Sequence, residues 1–241
     1  MKGTRGKFKF LPRKKMSEEK YNSDINRTAK LSKHIKFFKF DGSFNLSSGE
    51  KLDEINLAYE TYGELNDEKN NAILICHAIS GDSHVARHDK EDLQGWWDIM
   101  VGPGKSIDTN KYFVICSNVI GGCSGSTGPN SLNPKTGKEF GSSFPVITVE
   151  DMVGAQKLLI DYFSIDQLLC VTGGSMGGFQ SIQWSIQFPE KVRSIIPIAT
   201  SPRLTNQALA FDIVGRNAIK TDLNLLSSSL CTIGTTLPPD L

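Results

Sequence analysis

The sequence predicts an α/β protein with a doubly wound, mostly parallel sheet. The chain has 241 residues, of which 39% are hydrophobic, and this is enough for one large domain. Short, nearly continuous apolar runs alternate along it with stretches of helical periodicity. Such runs are typical of parallel strands covered on both faces, and their alternation with helices predicts right-handed crossover connections.

Residues 34–222 contain the predicted secondary structure. Two partly alternating runs, 34–40 and 54–62, come first and predict an antiparallel pair with one face in water. Buried parallel strands and amphipathic helices then alternate. We predict strands at 72–77, 112–116, 168–172 and 194–199, and helices at 149–163, 176–188 and 205–220.

The charge is divided unevenly along the chain. Residues 1–40 carry 13 Lys and Arg against 3 Asp and Glu, whereas the whole chain carries 27 and 26. Residues 1–33 also lack sustained apolar periodicity, and we expect them to form a disordered basic extension. No recognition motif or interleaved aromatic pattern accompanies this charge, so we expect no nucleic-acid partner.

The chain shows no pattern of a membrane span or a secretory signal. A span requires roughly 20 uninterrupted apolar residues, and no apolar core follows the basic N-terminus. The five cysteines are odd in number and lack C-x-x-C spacing. We therefore expect buried reduced thiols, no disulfide framework and no metal site. A cytoplasmic protein without a membrane partner is the expectation.

Ser175 is the candidate nucleophile. Residues 173–177 read Gly-Gly-Ser-Met-Gly, which satisfies G-x-S-x-G between a predicted buried strand and a predicted helix. A serine on such a sharp turn is strained, and only residues without a Cβ atom fit beside it. The N–H of Met176 then lies at the helix N-terminus and is the first predicted oxyanion donor. A glycine-rich turn that only packs is the alternative.

The second oxyanion donor is predicted in the loop that follows the first parallel strand. This loop reads His-Ala-Ile-Ser-Gly at 77–81, and its small residues permit a tight turn. We assign the second donor to the N–H of Ile79. His77 fits a loop histidine with local hydrogen bonds better than a base.

The chain offers no identifiable general base. A nucleophilic serine requires a histidine to take its proton and an acid to orient that histidine, and in this arrangement both follow the serine along the chain. All four histidines precede Ser175. Asp212, Asp222 and Asp240 follow it, but none introduces the strand and loop pattern expected for the acid.

Several motifs together resemble homoserine O-acetyltransferase of the α/β-hydrolase superfamily. They occur in order between about residues 35 and 222, which makes the resemblance more specific than the serine motif alone. The motifs are LAYETYG at 57–63, HAISGDSH at 77–84, GWW at 95–97 with GPGK at 102–105, SNVIGGC at 117–123, GSTGP at 125–129, FP at 144–145 with DMV at 151–153, and GGSMGG at 173–178.

The resemblance implies an α/β-hydrolase fold and a two-step acyl transfer in methionine biosynthesis. Acetyl-CoA, a co-substrate and not a cofactor, acylates the residue that matches Ser175, and the hydroxyl of L-homoserine then takes the acyl group. An arginine of the family that contacts the substrate matches Arg216, in the motif Gly-Arg-Asn-Ala-Ile at 215–219. The family also implies a homodimer built through a lid.

The resemblance stops near Asp222. The family continues with a lid, further strands and the catalytic Asp and His, whereas residues 223–241 match none of these. We therefore expect 34–222 to be the N-terminal part of an α/β-hydrolase domain whose sheet is incomplete, and 223–241 to be an aberrant, unstructured tail of a truncated chain. Without Asp and His, the chain as written is expected to be inactive.

Three other interpretations stay open. A serine hydrolase or esterase of the same fold differs only in that water takes the acyl group. A homoserine O-succinyltransferase differs in the acyl donor, and no residue decides between acetyl and succinyl. A non-catalytic binding protein that uses the basic extension is the third.

Overall fold

The computed structural model describes residues 32–221. The predicted tail 223–241 and nearly all of the predicted extension 1–33 lie outside these residues, so both stay predictions, as do the domain boundaries. No helix within the described part of the chain is both long and apolar enough to cross a membrane.

A six-stranded sheet forms the centre of residues 32–221, and short two-stranded ladders flank it. Along the chain the strands are β1 (Lys36–Phe40), β2 (Phe44–Asn45), β3 (Lys51–Leu52), β4 (Ile55–Tyr62), β5 (Ala72–Cys76), β6 (Val101–Gly102), β7 (Ile107–Asp108), β8 (Phe113–Ser117), β9 (Leu132–Asn133), β10 (Lys138–Glu139), β11 (Cys170–Gly174) and β12 (Ile195–Ile198).

The strand order of the central sheet is β1-β4-β8-β5-β11-β12. The strands β8, β5, β11 and β12 pair parallel with one another, whereas β4 pairs antiparallel with both β1 and β8. The predicted antiparallel pair and the mostly parallel sheet are therefore confirmed. The predicted water-exposed face is wrong for β4, because Leu57 is buried in the core on one face and Tyr62 in the core on the other.

Within residues 32–221, three helices accompany the sheet, and their bounds lie within two residues of the predicted ones. They are α1 (Val149–Tyr162), α2 (Met176–Gln187) and α3 (Asn206–Thr221), with short 3₁₀ helices at Gly141–Ser143 and Pro189–Lys191. A capping box starts α1: Thr148 Oγ1 accepts from the Asp151 N–H, and Asp151 Oδ2 accepts from the Thr148 N–H. The other Asp151 oxygen binds the N–H and hydroxyl of Ser47, both at 2.8 Å. The helix start is thereby anchored to the turn after β2.

The core has a part on each face of the sheet. One cluster includes Leu159 of α1 and Trp184 of α2, and the other includes Val85 of the loop after β5 and Val101 of β6. Strand β12 departs from the prediction of a strand covered on both faces, since Ile196 is 55% exposed. Within residues 32–221 it has one neighbour, β11, and a position on the edge tolerates the proline at 197.

Three cysteines confirm the expectation of buried thiols. Cys76, Cys116 and Cys170 are buried and free, and burial raises the pKa of Cys76 to about 12. The expectation of a buried thiol is wrong for Cys123, which lies on the glycine-rich loop after β8 and is exposed. Cys231 lies outside the described residues.

The direction in which successive strands are added to the sheet reverses at β5. From β5 the chain crosses to β8 on one side, and later returns to β11 on the other side of β5. All three strands are parallel, so the loops that follow them leave from the same edge of the sheet. Such a reversal opens a crevice at the carboxyl ends of the strands, where α/β proteins bind their ligands.

Candidate active site

Ser175 occupies a one-residue turn between β11 and α2. Its backbone has φ 55° and ψ −118°, in the left-handed half of backbone space that a non-glycine residue enters only under strain. The Ser175 N–H donates to the Ile198 carbonyl at 3.0 Å, and its carbonyl accepts from the Gly178 N–H at 2.9 Å. The side chain is exposed. The turn therefore presents the hydroxyl above the sheet edge.

Close backbone approach requires glycine at positions 173 and 177 of the motif around Ser175. A Cβ atom on Gly177 would lie 2.0 Å from the Cys76 carbonyl oxygen, and one on Gly173 would lie 2.4 Å from the same atom. A Cβ atom on Gly174, in contrast, would have its nearest neighbour at 4.0 Å. The steric reason predicted for the motif thus applies to two of these three positions, where α2 crosses the end of β5.

The backbone N–H groups of Met176 and Ile79 are available as donors within the described residues. Met176 is the first residue of α2, so its N–H has no intrahelical acceptor. Ile79 lies in a turn closed by the hydrogen bond from the Gly81 N–H to the Ala78 carbonyl, and its own N–H has no hydrogen bond within residues 32–221. Both are the predicted oxyanion donors, and their assignment stays a prediction.

His77 is held by hydrogen bonds on both ring nitrogens. Nδ1 lies 2.7 Å from the Ala78 carbonyl, and Nε2 accepts from the Val119 N–H at 3.1 Å. These partners assign the neutral tautomer with the proton on Nδ1. Burial lowers the pKa of His77, which also favours the neutral ring. His77 is therefore a structural residue of the loop, as the sequence favoured.

A buried glutamine pair supports the loop and the turn from below. The Gln156 amide donates to Gln180 Oε1 at 2.7 Å, and Gln156 Oε1 accepts from Trp184 Nε1 at 2.8 Å. Gln180 Nε2 in turn reaches the carbonyls of His77 and Met176. The sequence analysis missed this network, because an interior glutamine on an amphipathic helix has no recognisable motif.

No histidine of this chain bonds the candidate nucleophile. The Ser175 hydroxyl has no hydrogen bond within residues 32–221, which include all four histidines. His77 is engaged as described, and the other three contact carboxylates elsewhere: His34, His84 and His88. Arg216 lies exposed on α3, and within the described range its guanidinium has no ion pair or hydrogen bond. The structure therefore adds no base to the site, and the role of Arg216 stays a prediction.

Comparison with known proteins identifies the family. A family model described as the alpha/beta hydrolase fold matches residues 71–218. The chain belongs to the alpha/beta hydrolase fold family. The predicted fold class is thereby confirmed, and the turn at Ser175 occupies the strand-to-helix position that carries the nucleophile in alpha/beta hydrolases.

Relatives of this alpha/beta hydrolase include acyltransferases and esterases. It is 54% identical over 207 residues to a homoserine O-acetyltransferase of Deferribacter desulfuricans, covering 85% of this chain and 54% of the relative. A homoserine O-acetyltransferase structure from Bacillus anthracis is 39% identical with a TM-score of 0.69, covering 77% of this chain and 52% of that one. Esterase E22 is 35% identical with a TM-score of 0.70, covering 79% and 54%. The chain thus spans about half the length of each.

Proposed function

We propose that this chain carries the nucleophile and oxyanion hole of a cytoplasmic homoserine O-acetyltransferase of methionine biosynthesis. The observation that carries the proposal is the strained, exposed turn at Ser175, at the N-terminus of α2. The 54% identity to the Deferribacter desulfuricans homoserine O-acetyltransferase supports an acetyl group as the group transferred and homoserine as its acceptor. L-homoserine and acetyl-CoA are thus the proposed small-molecule substrates, and acetyl-CoA is a co-substrate.

The proposed reaction has two acyl transfers. Ser175 Oγ attacks the thioester carbonyl of acetyl-CoA and loses its proton, and the tetrahedral oxyanion is held by the N–H groups of Ile79 and Met176. Collapse breaks the C–S bond, releases CoA and leaves an acetyl ester on Ser175. The homoserine hydroxyl then loses its proton and attacks this ester. The second tetrahedral intermediate collapses, which releases O-acetylhomoserine and regenerates the serine hydroxyl.

Proton transfer in both steps requires a base, and the engaged histidines of this chain do not supply it. We propose that the acid and the base belong to the half of the relatives that this chain does not match. Arg216 is proposed to bind the homoserine carboxylate through its planar guanidinium. A homodimer, as the resemblance implies, is part of the same proposal.

A chimera tests this function directly. Residues 34–221 are joined to the remaining C-terminal part of the Deferribacter desulfuricans enzyme, and CoA release from acetyl-CoA is measured with and without L-homoserine. We expect homoserine-dependent release and O-acetylhomoserine as product, both abolished by Ser175→Ala. Succinyl-CoA in place of acetyl-CoA tests the donor. Arg216→Lys is expected to raise the KM for homoserine by at least about tenfold, since a lysine lacks the bidentate fork.

An esterase is the second candidate, supported by the similarity to esterase E22. In that case water takes the acetyl group from Ser175. The chimera would then hydrolyse acetyl esters at a rate that homoserine does not change, and acetate would replace O-acetylhomoserine as the product. This outcome would reject the transferase and keep Ser175 as the nucleophile.

A further inference from the structure

A cluster of histidines and carboxylates lies on the sheet face opposite α1 and α2. It joins β4 to the loop that covers this face. Glu60 Oε2 lies 3.0 Å from His84 Nδ1 and 3.6 Å from His88 Nδ1. Asp92 Oδ2 lies 3.1 Å from the same nitrogen of His88. The three ligand atoms of Glu60, His84 and His88 all lie within 4.8 Å of one another.

The second nitrogen of each histidine is fixed by a backbone carbonyl. His84 Nε2 lies 2.9 Å from the Leu93 carbonyl oxygen, and His88 Nε2 lies 3.2 Å from that of Thr61. A carbonyl only accepts, so both Nε2 atoms carry the proton and donate it. In the neutral rings both Nδ1 lone pairs then face carboxylates: that of His84 faces Glu60, and that of His88 faces Asp92, with Glu60 Oε2 3.6 Å away. Histidines that bind metals are oriented by this arrangement.

The carboxylate of Glu60 is buried and only partly satisfied. Its side chain is 1% exposed, and the hydroxyl of Tyr62 donates to Oε2 at 2.9 Å. Its other oxygen, Oε1, is buried and has no hydrogen-bond partner in the described residues. Asp92, with a side chain 4% exposed, adds a second buried carboxylate beside His88. Two buried acids in one cluster create a strong demand for positive charge.

We propose that Glu60, His84 and His88 bind a divalent transition-metal ion. Two imidazoles and one or two carboxylates are a ligand set that Zn²⁺ favours. Bonds of about 2.1 Å in a tetrahedron put ligand atoms roughly 3.4 Å apart, close to the 3.0 and 3.6 Å from Glu60 Oε2 to the two nitrogens. The sequence analysis expected no metal site, and this proposal departs from it.

The metal site has a structural consequence that is independent of the chemistry at Ser175. An ion bound here would tie the 84–92 loop segment to β4 and to the core below it. His34 covers the cluster from outside, since its ring stacks on that of His88 with centroids 4.1 Å apart. The ring of His34 therefore shields one side of His88.

The alternative to a metal ion is that protons shared between the histidines and the carboxylates hold this cluster together. Without a metal ion, the hydrogen bond to Glu60 raises the pKa of His84 to about 9, so a proton sits between the two groups. A metal ion must displace this proton, so metal affinity rises with pH, and binding is measured at about pH 8, above neutrality. The test has to separate a site that accepts a metal from one that holds only protons.

The full 241-residue chain, freed of metal by a chelator, is titrated with Zn²⁺ in a calorimeter and with Co²⁺ by visible absorption. We expect one equivalent of each to bind, with the intense bands of tetrahedral Co²⁺. The proton spectrum of the Co²⁺ form should show two shifted exchangeable N–H signals, from Nε2 of His84 and His88. This signature needs no variant, so it holds even if variants fail to fold.

Matched variants locate the site. His88→Gln and His84→Gln should each lower the association constant by at least about 100-fold, more than the loss of an outer partner. Asp98→Asn is the control, because Asp98 lies on the same loop but pairs with Arg87. Absence of one-equivalent binding in the unmodified chain would overturn the proposal. So would binding that survives both histidine substitutions, or Co²⁺ spectra without the two N–H signals.

Discussion

At the scale of single residues, the backbone of Ser175 stores strain that function requires. Its φ of 55° is unfavourable for any residue with a Cβ atom, but glycine adopts it at little cost. We predict that Ser175→Gly raises the free energy of unfolding by about 1 kcal/mol while it removes the nucleophile. Urea denaturation measures this. Ser185→Gly, inside α2, is the control and should lower stability by about 1 kcal/mol. Equal losses in both variants would contradict the strain.

The two glycines beside Ser175 allow a paired test of close packing. A helix interior favours alanine over glycine by about 1 kcal/mol, so helix propensity alone predicts that Gly177→Ala stabilises α2. The new Cβ atom would meet the Cys76 carbonyl oxygen, which belongs to β5 and cannot rotate away. We therefore predict a loss of about 2 kcal/mol or more. Gly174→Ala, with open space around it, should cost less than about 1 kcal/mol. Unfolding curves of the two variants show whether Gly177→Ala raises or lowers the free energy of unfolding.

The burial of His77 predicts a dependence of stability on acid. Its pKa is lowered from the ordinary value of 6.5, so between the two values the unfolded chain binds a proton that the folded chain does not. The free energy of unfolding must therefore fall as the pH falls below the unfolded pKa. His77→Gln removes this group. We expect its stability to fall less between about pH 7 and about pH 5 than that of the unmodified chain, by up to about 1.4 kcal/mol per pH unit. Equal slopes would refute the assignment.

At the scale of elements, the glutamine pair couples α1 to α2. Gln156 is fully buried and satisfies both Trp184 Nε1 and Gln180 Oε1. Gln156→Leu keeps a similar volume but leaves one donor and one acceptor without partners in the core. We predict a loss of about 2 to 4 kcal/mol in the free energy of unfolding. Gln187→Leu, at the exposed end of α2, should change it by less than about 0.5 kcal/mol. A small effect of both would show that water replaces the network.

The elements show how far the sequence determines the fold. Helices α1 and α2 begin where the pattern predicts, because Thr148 with Asp151 and the Gly-Gly-Ser turn are local signals. Strand β11 runs from Cys170 to Gly174, two residues later than predicted, since an apolar run does not show where ladder pairing starts. The partial alternation of residues 54–62 predicted a face of β4 in water, but Glu60 is buried there against His84 and His88, which lie more than 20 residues away. Such a pairing depends on the tertiary structure, which no local pattern encodes.

The candidate site also has a part that the sequence predicted and a part that only the structure shows. Ser175, Met176 and Ile79 were predicted because a nucleophile turn and an oxyanion loop have short motifs. The support beneath them, Gln156 and Gln180, joins two helices that the sequence separates by 24 positions. A residue whose partners come from another element has no signature in its own segment. Sequence motifs therefore identify the proposed reacting groups, whereas the residues that support them are recognised only in the structure.

At the scale of the whole molecule, the engagement of all four histidines away from Ser175 predicts how the 241 residues react. A serine without a base acylates slowly, and residues of a catalytic triad act as a unit, so removing the serine from an enzyme that already lacks its base has little further effect. We predict that Ser175→Ala lowers acetyl-CoA turnover by less than about tenfold in the 241-residue chain, but by about 10⁴-fold or more in the chimera. Rates of CoA release from the four proteins measure both ratios. A large effect of Ser175→Ala in the 241-residue chain would show that these residues do assemble a base, and His77 would then be the first histidine to replace.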